Sequence, residues 1–118
     1  MMLDPAAAIH AHVDAFNKRD LEALLAGFAE DAAWITGSTS VRGRDELAAL
    51  FGDAMTGLLP SLHIQNLLVD DGQVACQLTE TLTHDAVEKT FSIAGFYRLR
   101  DGLITSAKIY REGSAELD

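Results

Sequence analysis

The sequence predicts an α+β fold, with helices in the first half and a curved, largely antiparallel sheet in the second. Three observations predict it. Up to about residue 60, side chains of one face recur at helical spacing, as in Ile9, His12, Val13 and Phe16, then Leu21, Leu24, Leu25 and Phe28. After Pro60 the period changes to alternation, punctuated by Asp71-Gly72 and Asp101-Gly102. Finally, 118 residues with 48% hydrophobic and 23% charged side chains suit one globular domain with one core. Residues 1–60 are expected to be mainly helical with one short strand, and 61–111 a β-meander.

Asp4-Pro5 starts the first helix: an N-cap side chain precedes a proline whose missing N–H costs nothing in the first turn. The polar hinge Asn17-Lys18-Arg19 ends it. Asp20 can cap a second helix, expected to run to about Glu30. Ala32 to Thr36 reads as a short strand and Gly37-Ser38-Thr39-Ser40 as a loop. A third helix begins near Arg44, where Asp45 and Glu46 suit its positive end, and its stripe is Leu47, Leu50, Phe51, Ala54, Met55 and Leu58. Gly57 and Pro60 close it. Strands are then expected at Leu62–Val69, Gln73–Thr83, Glu88–Arg100 and Leu103–Arg111.

The net charge of -9, with nine scattered basic residues, argues against nucleic acid or an anionic membrane as partner. Cys76 is the only cysteine, so an intrachain disulfide or a cysteine metal cluster is excluded. The start, MMLDPAAAIHAH, has neither a basic leader nor a long apolar run, and a cytoplasmic location is the default expectation.

Strand parity points to chemistry. Val74, Cys76, Leu78, Glu80 and Leu82 share one face, which places a carboxylate among apolar neighbours. Desolvation favours the neutral form of such a group and suits Glu80 to general acid or base work. The alternative is that Glu80 sits solvated near an opening or pairs with an arginine. His12 lies within an apolar helical stripe, as a donor to a ligand or as a core histidine bonded to a backbone carbonyl. On the next strand Phe91, Ile93, Gly95, Tyr97 and Leu99 point one way, leaving Phe96 beside Ser92 and Arg98 on the other. His10 and His84 look solvated. No HExxH run, phosphate loop or nucleophile elbow is present, so neither a metal nor an organic cofactor is expected.

The stretch NKRDLEALLAGFAEDAAW, then RGRDEL and later FYRLRDGLITSAKIYRE, resembles SnoaL-like members of the nuclear transport factor 2-like superfamily, which includes the ketosteroid isomerases. The resemblance implies a cone: a curved mixed or antiparallel sheet wrapped around the N-terminal helices (a cystatin-like roll), with a pocket between sheet and helices. Trp34 and Tyr97, on inward-facing strand positions, would line such a pocket or serve only as core filler, and Phe16, Thr36, Phe51, Met55 and Glu112 complete the set expected to bind a ligand there. His12 falls where the isomerases carry a catalytic tyrosine, and His63 in the region of a catalytic histidine of scytalone dehydratase-like relatives. The departures matter equally. Thr36 and Gly95 stand where the isomerases need two aspartates, and Asn17 where a dehydratase-type aspartate would be. The Asp-Arg-Asp set of epoxide hydrolase members is not found with inward parity. Glu112 is the nearest acid to the aspartate that SnoaL cyclases place near the end of the last strand.

The expectation is therefore a binding domain for a small apolar, oxygenated ring compound, without turnover or with an unassigned one. The alternative is a cofactor-independent isomerase, cyclase or dehydratase using Glu80 or Glu112 as base and His12 or His63 as donor. As in many of the resembled proteins, a homodimer through the open sheet face, around Phe96 and Tyr110, is expected.

Overall fold

The computed structural model describes residues 4–56 and 60–112, with the element order α1 (Pro5–Asn17), α2 (Leu21–Ala26), β1 (Phe28–Thr36), β2 (Thr39–Arg42), α3 (Arg44–Thr56), β3 (Ser61–Asp70), β4 (Gln73–His84), β5 (Val87–Arg100) and β6 (Leu103–Arg111). The parts of the third helix expected at Gly57 and Leu58 lie outside the described residues, as does the side chain of His84. Asp4 caps α1, its Oδ1 accepting from the Ala7 N–H at 2.8 Å, and Asp20 caps α2 through Ala23 at 3.1 Å.

The six strands form one curved, open sheet in the order β2-β1-β6-β5-β4-β3. All neighbours are antiparallel except β1 and β6, which run parallel and are separated in the chain by β2, α3 and the three strands β3 to β5. α1 lies against β3 and β4, and α3 against β1 and β2, so one sheet face is covered. Ile9, Leu24, Phe28, Leu47, Val74, Leu78 and Ile104 are almost fully buried between the layers.

Two expectations are corrected. The second helix ends at Ala26, not near Glu30, and β1 begins at Phe28. Phe28 fits the helical stripe as well as it fits a strand, and pairing with β6 decides: the Gly27 carbonyl accepts from the Ile104 N–H at 2.9 Å. The segment expected as a loop after Thr36 instead contains β2, which pairs Thr36 with Thr39 through a tight turn at Gly37-Ser38. Gly37 has φ 55°, a backbone that only glycine adopts without cost.

The irregular start of β1, where the register shifts between Phe28 and Ala33, is held by the Arg42-Gly43-Arg44 run. Arg44 donates to the Phe28 carbonyl at 2.7 Å, Arg42 to that of Asp31 at 3.3 Å, and the Gly43 N–H to that of Ala32 at 2.8 Å. Glu46 returns the contact by accepting from the Arg42 N–H at 3.0 Å, as a capping carboxylate does. At the far end, Asn17 clamps α1 to β3. Its side-chain amide donates to the Leu62 carbonyl and accepts from the Leu62 N–H, both at 2.8 Å. Asn17 is thus a structural link between helix and sheet.

Candidate functional site

Between helices and sheet lies a cavity of about 240 Å³. The register stacks the sheet beneath it in rows: Val74, Tyr97, Ala107 and Trp34; then Cys76, Gly95, Ile109 and Thr36; then Leu78, Ile93 and Arg111; and last Glu80 beside Phe91. Of these, Trp34, Thr36, Leu78, Glu80, Ile93, Tyr97, Ile109 and Arg111 line the cavity. Phe16, Leu50 and Phe51 close it from the helices.

Glu80 is 5% exposed, and the only side chain that bonds it among the described residues is Arg111. Arg111 ends β6 on the same inward parity as Ala107 and Ile109, and its guanidinium reaches diagonally across β5. Nε donates to Oε1 at 3.2 Å and Nη2 to Oε2 at 2.7 Å. This side-on, two-point geometry is the strong form of a carboxylate–guanidinium contact. Of the two alternatives open for Glu80, pairing with an arginine is the one observed. Arg111 was legible from the alternation of β6 but lies outside the residues singled out there.

His12 is 5% exposed and lines the same cavity. It packs edge-on to Phe28 at 5.5 Å between ring centres, with Trp34 at 5.6 Å and Tyr97 at 5.9 Å. Its Nδ1 is buried without a hydrogen-bond partner among the described residues. Burial pushes its pKa down to about 4, so the ring is neutral at pH 7. Tyr97 is also buried, which raises its phenol well above the ordinary value and keeps it protonated. The polar groups at this inner end are therefore uncharged.

Phe16, Trp34, Thr36, Phe51 and Tyr97 all line the cavity. Met55 is half-buried at the edge of the core without lining it. His63 is exposed, paired in register with Thr79, with the half-buried Leu62 and Ile64 on either side of it. Glu112 is exposed, its N–H donating to the Ser92 carbonyl at 3.0 Å, and it lines a depression on the open face with Phe96 and Tyr110. The structure thus brings Glu80 and His12 to one cavity and leaves His63 and Glu112 outside it. Among the described residues no cluster of three metal-ligating side chains occurs, and no helix is long and apolar enough to cross a membrane.

The model of the SnoaL-like domain matches residues 9–107. The chain belongs to the SnoaL-like domain family. Solved structures agree on the fold at low identity. An LEH-like epoxide hydrolase from M. tuberculosis is 21% identical with a TM-score of 0.83, over 92% of this chain and 82% of that one. An NTF2-like protein of unknown function from Burkholderia pseudomallei is 18% identical with a TM-score of 0.84, over 94% and 92%. TerC, co-crystallised with polyporic acid, is 19% identical with a TM-score of 0.83, over 92% and 91%. Identities this low carry the architecture and no activity. Against curated protein sequences no match is found.

Proposed function

We propose that this SnoaL-like domain binds a small apolar ring compound bearing oxygen, with the cavity between sheet and helices as its seat. One observation carries the reading: a cavity walled by Phe16, Trp34, Phe51 and Tyr97 with only a few polar groups, the Glu80–Arg111 pair, His12 and Thr36. Apolar walls with few, placed polar groups are the usual make-up of a small-molecule site. Binding to the native state alone raises the melting temperature by mass action. A panel of mono- and bicyclic ketones, phenols and quinones should therefore contain members that raise it, and a flat response across the panel contradicts the reading.

Proton transfer is the second reading, favoured by Glu80 and His12 lining one cavity. It is tested by deuterium wash-in at the carbon next to the carbonyl of a bound ring ketone. Exchange faster than in buffer, lost in Glu80→Gln, makes the domain an enzyme; exchange at the buffer rate leaves it a binding module.

We also propose that two copies pair through the open sheet face. Leu68, Phe96 and Tyr110 are 65%, 54% and 50% exposed there, and the rings of Phe96 and Tyr110 meet edge-on at 5.7 Å. In register, Leu68, Ala75 and Phe96 form one apolar row across β3, β4 and β5. An apolar strip on a twofold axis is self-complementary.

A further inference from the structure

We infer that Gly95 and Tyr97 form one specificity device: the missing side chain at Gly95 lets the Tyr97 phenol lie back along β5 into the cavity, where with His12 it selects an uncharged ring oxygen. The ligand class is then a ketone or alcohol of one or two rings. This rests on the ligand-binding reading above and narrows it.

Gly95 and Tyr97 are two apart on β5 and share its inner face, where neighbouring side chains normally stand side by side. Here they do not. A Cβ at residue 95 would fall 2.6 Å from the Tyr97 phenol oxygen and from Cε2, and 2.8 Å from Cζ. The outer end of the ring therefore occupies the space that a side chain at residue 95 would fill. The hydroxyl is carried one row closer to Arg111 than the Tyr97 backbone, over the row of Cys76 and Ile109. A larger residue at position 95 would drive the ring out of this place.

The hydroxyl so placed makes no hydrogen bond to another described residue, and neither does the buried Nδ1 of His12, whose ring centre is 5.9 Å from that of Tyr97. Buried polar groups normally have partners, so Nδ1 is positioned to take one from a ligand, and the Tyr97 hydroxyl lines the same cavity with its hydrogen-bonding capacity unused. Their charge state fixes its kind. A protonated phenol and a neutral imidazole hydrogen-bond a ketone or hydroxyl well, but they do not compensate the desolvation of a carboxylate. Among the described residues Arg111 is the one cationic side chain lining the cavity, and Glu80 already neutralises it. Size limits the class further: about 240 Å³ lies below the ~300–1,000 Å³ typical of sites for drug-sized ligands, which favours one or two rings over four.

The test has a ligand-free arm and a ligand arm. In the first, Gly95→Ala is made in the parent and in a Tyr97→Leu background, and stability is measured by denaturation. The cost of Gly95→Ala should largely vanish once the ring is gone; an equal cost in both backgrounds overturns the device. In the second arm Trp34, the only tryptophan, reports binding of α-tetralone, naphthalene and α-naphthoate by fluorescence. Tyr97→Phe should weaken α-tetralone about tenfold, the loss of one hydrogen bond, and leave naphthalene within about twofold. Gly95→Ala should lower the same ratio. Both probes weakening in step, or α-naphthoate binding as tightly as α-tetralone, overturns the selection of an uncharged oxygen. Binding of no probe overturns that selection together with the ligand-binding reading, whereas bound probes with unchanged ratios overturn the selection alone.

Discussion

Arg111 grips Glu80 from across β5, Nε to Oε1 at 3.2 Å and Nη2 to Oε2 at 2.7 Å, and so supplies the cation that the apolar face of β4 lacks. A carboxylate among Val74, Cys76, Leu78 and Leu82 invites a general-base reading, but this one is held in a two-point pair. Glu80→Gln removes the negative partner and keeps the shape. Breaking a fully buried pair costs about 3–5 kcal/mol. Because the Arg111 side chain is 32% exposed, the loss should be smaller, about 1–3 kcal/mol. Urea denaturation at neutral pH checks it. A Gln variant as stable as the parent would mean that the pair contributes nothing net.

His12 makes stability depend on pH. Its folded pKa of about 4 lies below the ordinary 6.5, so the unfolded chain binds the extra proton between those values. The stabilisation from keeping the ring neutral is fully present above pH 6.5 and is lost as pH falls toward 4. The shift corresponds to about 3 kcal/mol. In His12→Phe that part of the acid dependence should disappear. Denaturation curves for both proteins across this range test it, and parallel pH profiles would contradict the burial argument.

Asn17 should be sensitive in a way its exposure conceals. Asn17→Ala removes both hydrogen bonds to the Leu62 backbone and frees the end of α1 from β3. With water able to replace part of the loss, about 1–2 kcal/mol is expected. Amide exchange of Leu62 should quicken with it. Unchanged protection at Leu62 would show that the clamp is not needed.

The open face gives a third kind of test. Phe96→Glu places a charge at the β5 end of the Leu68, Ala75 and Phe96 row, beside Tyr110. Light scattering should find the parent dimeric and the variant dissociating at micromolar concentration. A monomeric parent contradicts the proposed pairing.

How much of this was legible in the sequence follows from the kind of signal each feature leaves. Caps at Asp4 and Asp20, the turns at Asp71-Gly72 and Asp101-Gly102, and the inward set on β4 are local and read directly. The end of α2 was not, because Phe28 satisfies helical and strand patterns alike and a distant hydrogen bond to Ile104 chooses between them. β2 escaped because four polar-flanked residues look like any loop until β1 lies beside them. In the site, parity placed Glu80, Trp34 and Tyr97 correctly on the inner face. It also contained Arg111, two residues beyond Ile109, but a cation at a strand end looks solvated until its partner across the sheet is known. The approach of the Tyr97 ring to Gly95 has no sequence signature, since it depends on a rotamer.

The cavity around His12, Trp34 and Tyr97 is the proposed seat for a small uncharged ring compound. Nitrogen–proton correlation spectra recorded during titration with α-tetralone test it most directly. Saturable shifts are expected at the Trp34 indole N–H and at the backbone amides of Gly95, Tyr97 and Ile109, with the open-face amides of Phe96 and Tyr110 shifting less. Shifts centred on Phe96 and Tyr110 with the Trp34 indole unmoved, or none at saturating probe, would contradict it.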